Sequence, residues 1–272
     1  MATYQRCKGN EMKLGLAHAY NEKDWIGYKI DQAMKVCDKL LIVEGSRFLC
    51  FDELPARSDD GTLDIINDKM RMYPNRIEVW PDGCDKGSFR KNVTANNHVA
   101  LERCKTGDYF ILCDSDEFYT DSFIDDMNEA MREGELDYMN WTGLQFAFGF
   151  KWVFAEQVKK AFLKKIPGAH FAPLHKPRGF GSRFVTIERI SCLHYCWVKT
   201  YDRMLKRARI GIYKGMLEWF ASNYDRIELI EGAKIRYVNG QILTLRKYEG
   251  PHPSVLDDHL WRHVEDIRRL NI

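Results

Sequence analysis

Short apolar runs and longer amphipathic segments alternate along the first half of the chain. The apolar runs predict five strands, over residues 13–20, 39–45, 76–80 and 108–113, and from residue 136 onward. The amphipathic segments predict four helices, over residues 24–37 with Asp24 as N-cap, 63–73, 88–104, and 120–133 before Gly134. Strands that alternate with helices form a parallel sheet with helices on both faces, so the pattern predicts an α/β fold.

The second half of the chain is less regular. Glycine, proline and aromatic residues interrupt residues 164–184, which predicts a loop near a site, and residues 183–197 contain two strand-like pieces. The last segment predicts an amphipathic helix with Ser254 as N-cap, and its apolar face would carry Leu256, Leu260, Val264 and Ile267.

The composition is that of a globular protein and indicates no particular function. The 272 residues are 45% hydrophobic and 29% charged, as in an ordinary globular protein, and a net charge of +2 is too small to indicate nucleic-acid binding by itself. The basic run over residues 199–215 is either a solvated helix face or a binding patch. Eight cysteines without a C-x-x-C pair indicate reduced thiols, and we expect a cytoplasmic protein. We expect no secretory signal, because the N-terminus is polar. We expect no transmembrane segment, because no window approaches about 20 apolar residues.

Three carboxylates, Asp114, Asp116 and Glu117, follow directly on the apolar run over residues 108–113. Ligands of open α/β sheets bind at the carboxyl ends of the strands. Residues two apart on an extended segment point the same way, so Asp114 and Asp116 can share one hard cation such as Mg²⁺, together with substrate phosphates. The alternative is a loop whose aspartates cap the next helix.

Polar groups also follow the first two predicted strands, in the segments AYNE (residues 19–22) and VEGS (residues 43–46). Glu22 and Glu44 are candidates to accept a hydrogen bond from a nucleobase or a ribose. Each taken singly can also be a solvated acid at a strand end. Three polar strand ends on one rim favour a shared ligand site.

These segments resemble the nucleotide-binding half of a GT-A-fold glycosyltransferase, closest to the family 2 type. The similarity covers about the first 120 residues and is carried by HAYNE, by LLIVEGS, and by the block from residue 86 to residue 118 that contains CDSDEF. Asp114, Ser115 and Asp116 match the DxD metal motif of that family. The resemblance implies donor-binding roles for Tyr20, Asn21, Glu22, Glu44, Arg90, Asn92 and Ser115.

The resemblance implies a GT-A fold, in which a mostly parallel, Rossmann-like sheet is flanked by helices. One domain would span residues 1–272, with a nucleotide-sugar-binding half over about 1–140. An irregular acceptor half with C-terminal helices would follow over about 141–272. Related enzymes often bring a late histidine to the metal, and His194 lies at about that place; the alternative is a core histidine. His252 would lie near the phosphates in a C-terminal segment that closes over the donor.

One departure from the family concerns the catalytic base. Many inverting members carry a Glu-Asp pair between the DxD motif and the C-terminus, and this chain has its only Glu-Asp in the final segment, at Glu265 and Asp266. Glu188 and Glu156 are the acids in the right region, and Glu188 is the weak candidate. An inverting and a retaining outcome are both left open.

The resemblance implies a metal-dependent transferase that uses a nucleotide-diphosphate sugar, preferably a UDP-sugar, with Mn²⁺ or Mg²⁺. The acceptor would be a hydroxyl of a glycan, a lipid-linked sugar, a protein or a modified nucleic acid. The aromatic-rich residues 141–154 either stack on the acceptor or pack in the core. The alternatives are a non-catalytic, metal-dependent sugar-binding module and a haloacid-dehalogenase-like phosphatase. The phosphatase motif normally lies near the N-terminus and continues differently after its second aspartate.

Overall fold

The computed structural model describes residues 11–46, 54–81, 83–84, 87–172, 176–210, 216–236 and 240–270. In the first half of the chain the elements are β1 (Lys13–Ala19), α1 (Ile26–Ala33), β2 (Lys39–Glu44), α2 (Thr62–Met72), β3 (Ile77–Pro81), α3 (Phe89–Glu102), β4 (Tyr109–Leu112), β5 (Glu117–Tyr119) and α4 (Asp121–Glu133). They are followed by β6 (Tyr138–Ala147), β7 (Trp152–Lys164), β8 (His170–Ala172), β9 (Lys176–Arg178), β10 (Phe184–Trp197), α5 (Tyr201–Ile210), α6 (Met216–Asn223), β11 (Lys234–Arg236), β12 (Ile242–Thr244) and β13 (Arg246–Lys247).

The described strands form a large mixed sheet with flanking helices, which confirms the predicted α/β class. The strand order is β3-β2-β1-β4-β7-β6-β10-β5, with β13 paired to β7. The pairs β1–β2, β2–β3 and β1–β4 are parallel, whereas β4–β7 and β5–β10 are antiparallel. Two further sheets have two strands each, β8-β9 and β11-β12.

The chain divides into two compact units that are not contiguous in sequence. The first unit comprises Met1–Ser115, Asp121–Trp141 and Lys159–Ile187. The second unit comprises Asp116–Thr120, Thr142–Val158 and Glu188–Ile272. The DxD segment therefore contributes residues to both units.

The core of the first unit forms around its parallel strands. Residues 40–43 of β2 are all buried, as expected for a strand that is covered on both faces. Gly15 on β1 permits close packing, because a Cβ atom there would lie 2.7 Å from Cys37 Sγ and 2.9 Å from Leu40 Cδ1. The predicted helix end at Gly134 is confirmed, and this glycine has a φ of 70°. The predicted N-cap Asp24 is wrong, because Trp25 occupies that position without a side-chain cap.

The second unit has an aromatic core. Phe148, Trp152, Phe154, Trp197 and Tyr224 are all buried in one cluster. The aromatic residues between 141 and 154 are likewise buried, so the packing alternative for that stretch is confirmed.

The predicted C-terminal amphipathic helix is wrong. Between residues 254 and 269 the regular structure consists of two short 3₁₀ turns, Ser254–Leu256 and Ile267–Arg269. The Ile267 N–H donates to the Phe148 carbonyl at 2.7 Å instead of to a carbonyl four residues earlier. Leu260, predicted on the apolar face, is 74% exposed. A tertiary hydrogen bond has replaced the helical one at Ile267, and other backbone bonds of the segment, such as His259 N to the Leu256 carbonyl, span only three residues.

Two further details of the second half differ from the sequence pattern. Residues 184–197 form one strand of 14 residues, β10, in place of two pieces. The three-residue strand β5 was not predicted. Among the described residues, no helix has the length and apolar character needed to cross a membrane.

Candidate functional site

The two aspartates of the DxD motif lie in different surroundings. Residues 115 and 116 form a turn between β4 and β5. The expectation that Asp114 and Asp116 point the same way on an extended segment is therefore wrong. The Asp114 side chain is half-exposed, and its Oδ2 lies 3.8 Å from Lys159 Nζ in the first unit. The Asp116 side chain is buried in the second unit.

Strand β5 explains how Asp116 meets His194. It pairs antiparallel with β10, and in that register Glu117 lies opposite His194 and Cys192 opposite Tyr119. The Asp116 carbonyl accepts a hydrogen bond from Tyr195 N at 2.8 Å, which extends the pairing by one residue. Directly opposed residues in an antiparallel pair project from the same face of the sheet. The backbone thus brings two acids and one histidine together.

Both nitrogens of the His194 ring have polar neighbours. Nε2 lies 3.2 Å from Asp116 Oδ1. Nδ1 lies 3.0 Å from Gln157 Nε2 and 3.5 Å from Glu117 Oε1. The imidazole is 15% exposed, so it keeps limited access to solvent while its orientation is fixed from both sides.

Lys199 completes a compact group of charges in the second unit. Its Nζ lies 3.8 Å from Asp116 Oδ2, and its side chain is 5% exposed. We call Asp116, Glu117, Gln157, His194 and Lys199 the Asp116 cluster. Buried charges cost free energy unless they are paired, and the ammonium offsets part of the charge of the two carboxylates.

Asp116 Oδ1 and His194 Nε2 are spaced as two ligand atoms of one divalent cation would be. Two ligands at roughly 2.1 Å from one ion lie about 3 Å apart when they are at right angles. These two atoms are 3.2 Å apart. Glu117 and Gln157 face the other ring nitrogen, as the outer partners of metal-bound imidazoles do.

The remaining ligands of such a cation would come from outside the protein. Within the ranges that the structure describes, no three or more His, Cys, Asp or Glu side chains form a group that could hold a metal ion. Magnesium-type ions are often held by one or two carboxylates together with substrate phosphates and water. The Asp116 cluster therefore fits a cation that arrives with a phosphate-bearing ligand.

The first unit holds a second polar group, at the carboxyl ends of β1 and β2. Glu44 is fully buried, and its two carboxylate oxygens accept from Arg57 Nη1 at 2.7 Å and from Ser58 N at 2.9 Å. Arg57 Nη1 also donates to the Glu44 carbonyl at 3.1 Å. Residues 54–62, which carry these donors, are thereby fixed to the end of β2; we call them the capping segment.

The capping segment also binds the residues that follow β1. Asn21 and Asp59 exchange two hydrogen bonds, at 2.9 Å and 3.0 Å, and the backbone N–H of Glu22 donates to Thr62 Oγ1 at 2.7 Å. Tyr20 Oη donates to the Pro55 carbonyl at 3.1 Å. Burial raises the pKa of Tyr20 to about 12, with further increases from Asp59 and other nearby acids. Tyr20 is therefore a protonated donor at neutral pH.

The structure brings four predicted donor-binding residues together in the first unit: Tyr20, Asn21, Glu22 and Glu44. Of the other three, Arg90 is exposed in the first turn of α3, whereas Asn92 is fully buried. Ser115 is buried, and it is the last residue of the first segment of the first unit. The N-cap of α3 is Ser88, whose hydroxyl accepts from Lys91 N at 3.4 Å.

Glu188, the weak candidate for the base, is exposed on β10. It shares this strand with His194 but precedes it by six residues, which corresponds to about 20 Å of extended chain. The structure therefore does not bring Glu188 into the Asp116 cluster. Glu156, the other acid considered, pairs with Arg246 at 2.9 Å.

His252 belongs to an aromatic group of the second unit. Its Nδ1 lies 2.6 Å from Tyr195 Oη, and its ring packs near Phe146 and Phe150. Burial, followed by the charge of Arg262, lowers the pKa of His252 to about 4. A neutral imidazole at pH 7 does not provide a positive charge for a phosphate.

Three side chains of these groups were missed by sequence reasoning. Arg57 and Gln157 have no motif around them; a single polar residue on a strand or in a loop gives no signal of its partner. Lys199 is the first residue of the basic run over residues 199–215, so the run did contain a residue of the cluster. Lys199 is buried, so it does not belong to a solvated helix face.

The sequence matches no known family model, and it matches no curated protein.

Proposed function

We propose that this protein is a glycosyltransferase that moves a sugar from a nucleotide-diphosphate donor, preferably a UDP-sugar, to an acceptor hydroxyl with the aid of Mn²⁺ or Mg²⁺. The observation that carries this proposal is the 3.2 Å approach of His194 Nε2 to Asp116 Oδ1. The resemblance to GT-A enzymes led us to expect a late histidine that binds the same metal as the DxD motif. The two side chains are 78 residues apart in sequence.

The DxD residues have distinct roles in this proposal. Asp116 and His194 would bind the cation directly. Asp114, which is half-exposed and paired with Lys159, would act directly or through water. The bound cation supplies electrostatic stabilisation to the diphosphate as negative charge develops on it.

Tyr20, Asn21, Glu22 and Glu44 would recognise the nucleoside. The strand-end group holds the Tyr20 hydroxyl on the Pro55 carbonyl and buries the Glu44 carboxylate under the capping segment. Asn21, Glu22, Arg90, Asn92 and Ser115 are retained as donor-binding residues by resemblance. Glu44 acts either on the base itself or by holding the capping segment in place.

In the proposed reaction the acceptor oxygen forms a bond to the anomeric carbon of the donor sugar. The bond from that carbon to the diphosphate oxygen breaks, and its electron pair leaves with the nucleoside diphosphate. The acceptor proton passes to a base that we do not assign, because Glu188 lies far along β10 from His194.

The six cysteines within the described residues are reduced thiols: Cys37, Cys84, Cys104, Cys113, Cys192 and Cys196. Free thiols are typical of proteins in reducing compartments. We propose a cytoplasmic location on this basis.

The experiment that tests the proposed function has two stages. A panel of nucleotide sugars is first screened with Mn²⁺ for an increase in melting temperature, because a ligand that binds only the folded state stabilises it. The best donor is then incubated with the protein, and release of the nucleoside diphosphate is measured with and without chelator. Metal-dependent release supports a transferase. Stabilisation without any release, with acceptors of all four classes present, would instead support a sugar-binding module.

A further inference from the structure

Two glutamines form a line of hydrogen bonds that ends at His194, and all of these residues belong to the second unit. Gln145 on β6 donates from Nε2 to Gln157 Oε1 at 2.7 Å. Gln157 on β7 places its Nε2 3.0 Å from His194 Nδ1. His194 Nε2 in turn lies 3.2 Å from Asp116 Oδ1.

With the two amides in this orientation, the position of the imidazole proton follows. Because Gln157 uses its oxygen to accept from Gln145, its nitrogen faces His194, and an amide nitrogen only donates. Nδ1 of a neutral His194 is then an acceptor, so the ring proton is on Nε2 and is donated to Asp116. An imidazole in this tautomer has no lone pair on Nε2 with which to bind a cation beside Asp116.

A second orientation of the two amides is compatible with the same backbone. If both amides turn by 180°, Gln157 Nε2 donates to Gln145 Oε1, and Gln157 Oε1 accepts from a proton on His194 Nδ1. The oxygen and nitrogen of an amide are nearly the same size, so the heavy-atom distances are kept. Glu117 Oε1, 3.5 Å from Nδ1, favours this form, because a carboxylate is an acceptor only.

We propose that Gln157, held by Gln145, is a positioning residue that selects the tautomer of His194, and that reversal of the two amides accompanies cation binding at Asp116 and His194. The tautomer assignment stands on the hydrogen bonds alone, whereas the cation step rests on the proposed function. The proton balance is closed: one proton leaves Nε2 for water, and water supplies one proton to Nδ1.

Substitution of Gln145 tests the proposal without touching His194. In Gln145→Glu the new carboxylate accepts only, so Gln157 must turn its nitrogen toward it and its oxygen toward His194. The full-length protein, labelled with ¹⁵N-histidine, is examined by NMR at about pH 8, where a free imidazole is neutral. We expect the Nε2–H tautomer of His194 in the metal-free wild type and the Nδ1–H tautomer in Gln145→Glu.

The double variant Gln145→Glu/Gln157→Met separates the hydrogen-bond relay from the added charge. It keeps the carboxylate at position 145 but removes the amide that transmits its effect, so His194 should no longer follow position 145. Mn²⁺ titrations followed by electron paramagnetic resonance supply the second readout. We expect Gln145→Glu to bind Mn²⁺ about tenfold more tightly than the wild type, at the lower end of outer-partner effects, and the double variant to lose this gain.

An Nδ1–H tautomer in the metal-free wild type, or one unchanged by Gln145→Glu, would overturn the proposal. Equal Mn²⁺ affinity in the three proteins would overturn its cation step. A wild type that binds no Mn²⁺ while showing the expected tautomers would contradict the proposed function and leave the role of Gln157 in place.

Discussion

Glu117 lies directly opposite His194 in the antiparallel pair of β5 and β10. This register places the carboxylate of Asp116 against one ring nitrogen and that of Glu117 near the other. A shift of β5 by one residue would turn its side chains to the opposite face of the sheet. The arrangement of the Asp116 cluster therefore depends on the register of the three-residue strand β5 with β10.

The ion pair of Glu44 and Arg57 yields the first prediction. Glu44→Gln removes the charge that both Arg57 and the Ser58 N–H use, so we expect a loss of about 1.5–3 kcal/mol in unfolding free energy, the range for hydrogen bonds to charged groups. We also expect weaker binding of UDP. Denaturant unfolding and calorimetry measure the two effects.

Arg57→Gln is the matched variant, because it removes the ion pair but keeps the carboxylate. If Glu44 acts by holding the capping segment, both variants weaken UDP binding. If Glu44 contacts the base, only Glu44→Gln does so. Unchanged UDP affinity in both variants would exclude either role.

Arg268 and Arg269 both approach Asp266 and give a controlled comparison. The Arg268 side chain is buried; it pairs with both carboxylate oxygens at 2.8 Å and donates to the carbonyls of Tyr224 and Ile227. Arg269 reaches the same carboxylate at 3.3 Å but is 85% exposed.

We expect Arg268→Met to cost about 3–5 kcal/mol of unfolding free energy, because it leaves the Asp266 carboxylate, which is only 10% exposed, without its main partner. Arg269→Met should change it by less than about 1 kcal/mol, as for other exposed ion pairs. Urea unfolding of the two variants provides the test. Similar losses in both would show that Arg268 does not fix the C-terminal segment.

These contacts also show where sequence reasoning reaches its limit. The parallel strands were predictable because their apolar runs are short and buried on both faces, as residues 40–43 show. The prediction of a C-terminal helix was wrong. At Ile267, for example, the N–H donates to the Phe148 carbonyl, a contact that no local pattern encodes. His194 was found through resemblance. Gln157 was not found, because its hydrogen-bond partners Gln145 and His194 lie on other strands.

The desolvated His252 predicts a dependence of stability on pH. Its pKa is lowered to about 4 in the folded protein, against about 6.5 in the unfolded chain. Between these values the unfolded chain binds more protons, so stability is fully present above pH 6.5 and falls as the pH drops toward 4. At pH 5 the loss due to this group is at most about 2 kcal/mol.

His252→Gln should remove this part of the pH dependence, which is measured as unfolding free energy at pH 7.5 and pH 5. His263→Gln is the control, because His263 is exposed. The opposite result, a His252→Gln protein that loses as much stability as the wild type on acidification, would place the titration elsewhere.

Gly149 faces the C-terminal segment at close range. A Cβ atom there would lie 2.7 Å from the Glu265 carbonyl oxygen and 2.9 Å from that of Val264. Because both contacts are with backbone, Gly149→Ala must displace the segment, and we expect a loss of about 1–3 kcal/mol, the cost of an overpacked site. Gly27→Ala, whose nearest contact is a methyl group of Ile65 at 3.2 Å, should cost less. Thermal unfolding that ranks the two variants in the reverse order would refute this packing.

The most direct test of the account is the calorimetric affinity for UDP with Mn²⁺ in the wild type, in Asp116→Asn and in the control Asp257→Asn, whose side chain is 63% exposed. We expect wild-type binding that disappears with chelator, at least about a tenfold loss in Asp116→Asn, since one carboxylate ligand is removed, and no change in Asp257→Asn. UDP binding of equal strength in chelator, or in Asp116→Asn, would contradict the claim that Asp116 and His194 hold the cation that binds the donor diphosphate.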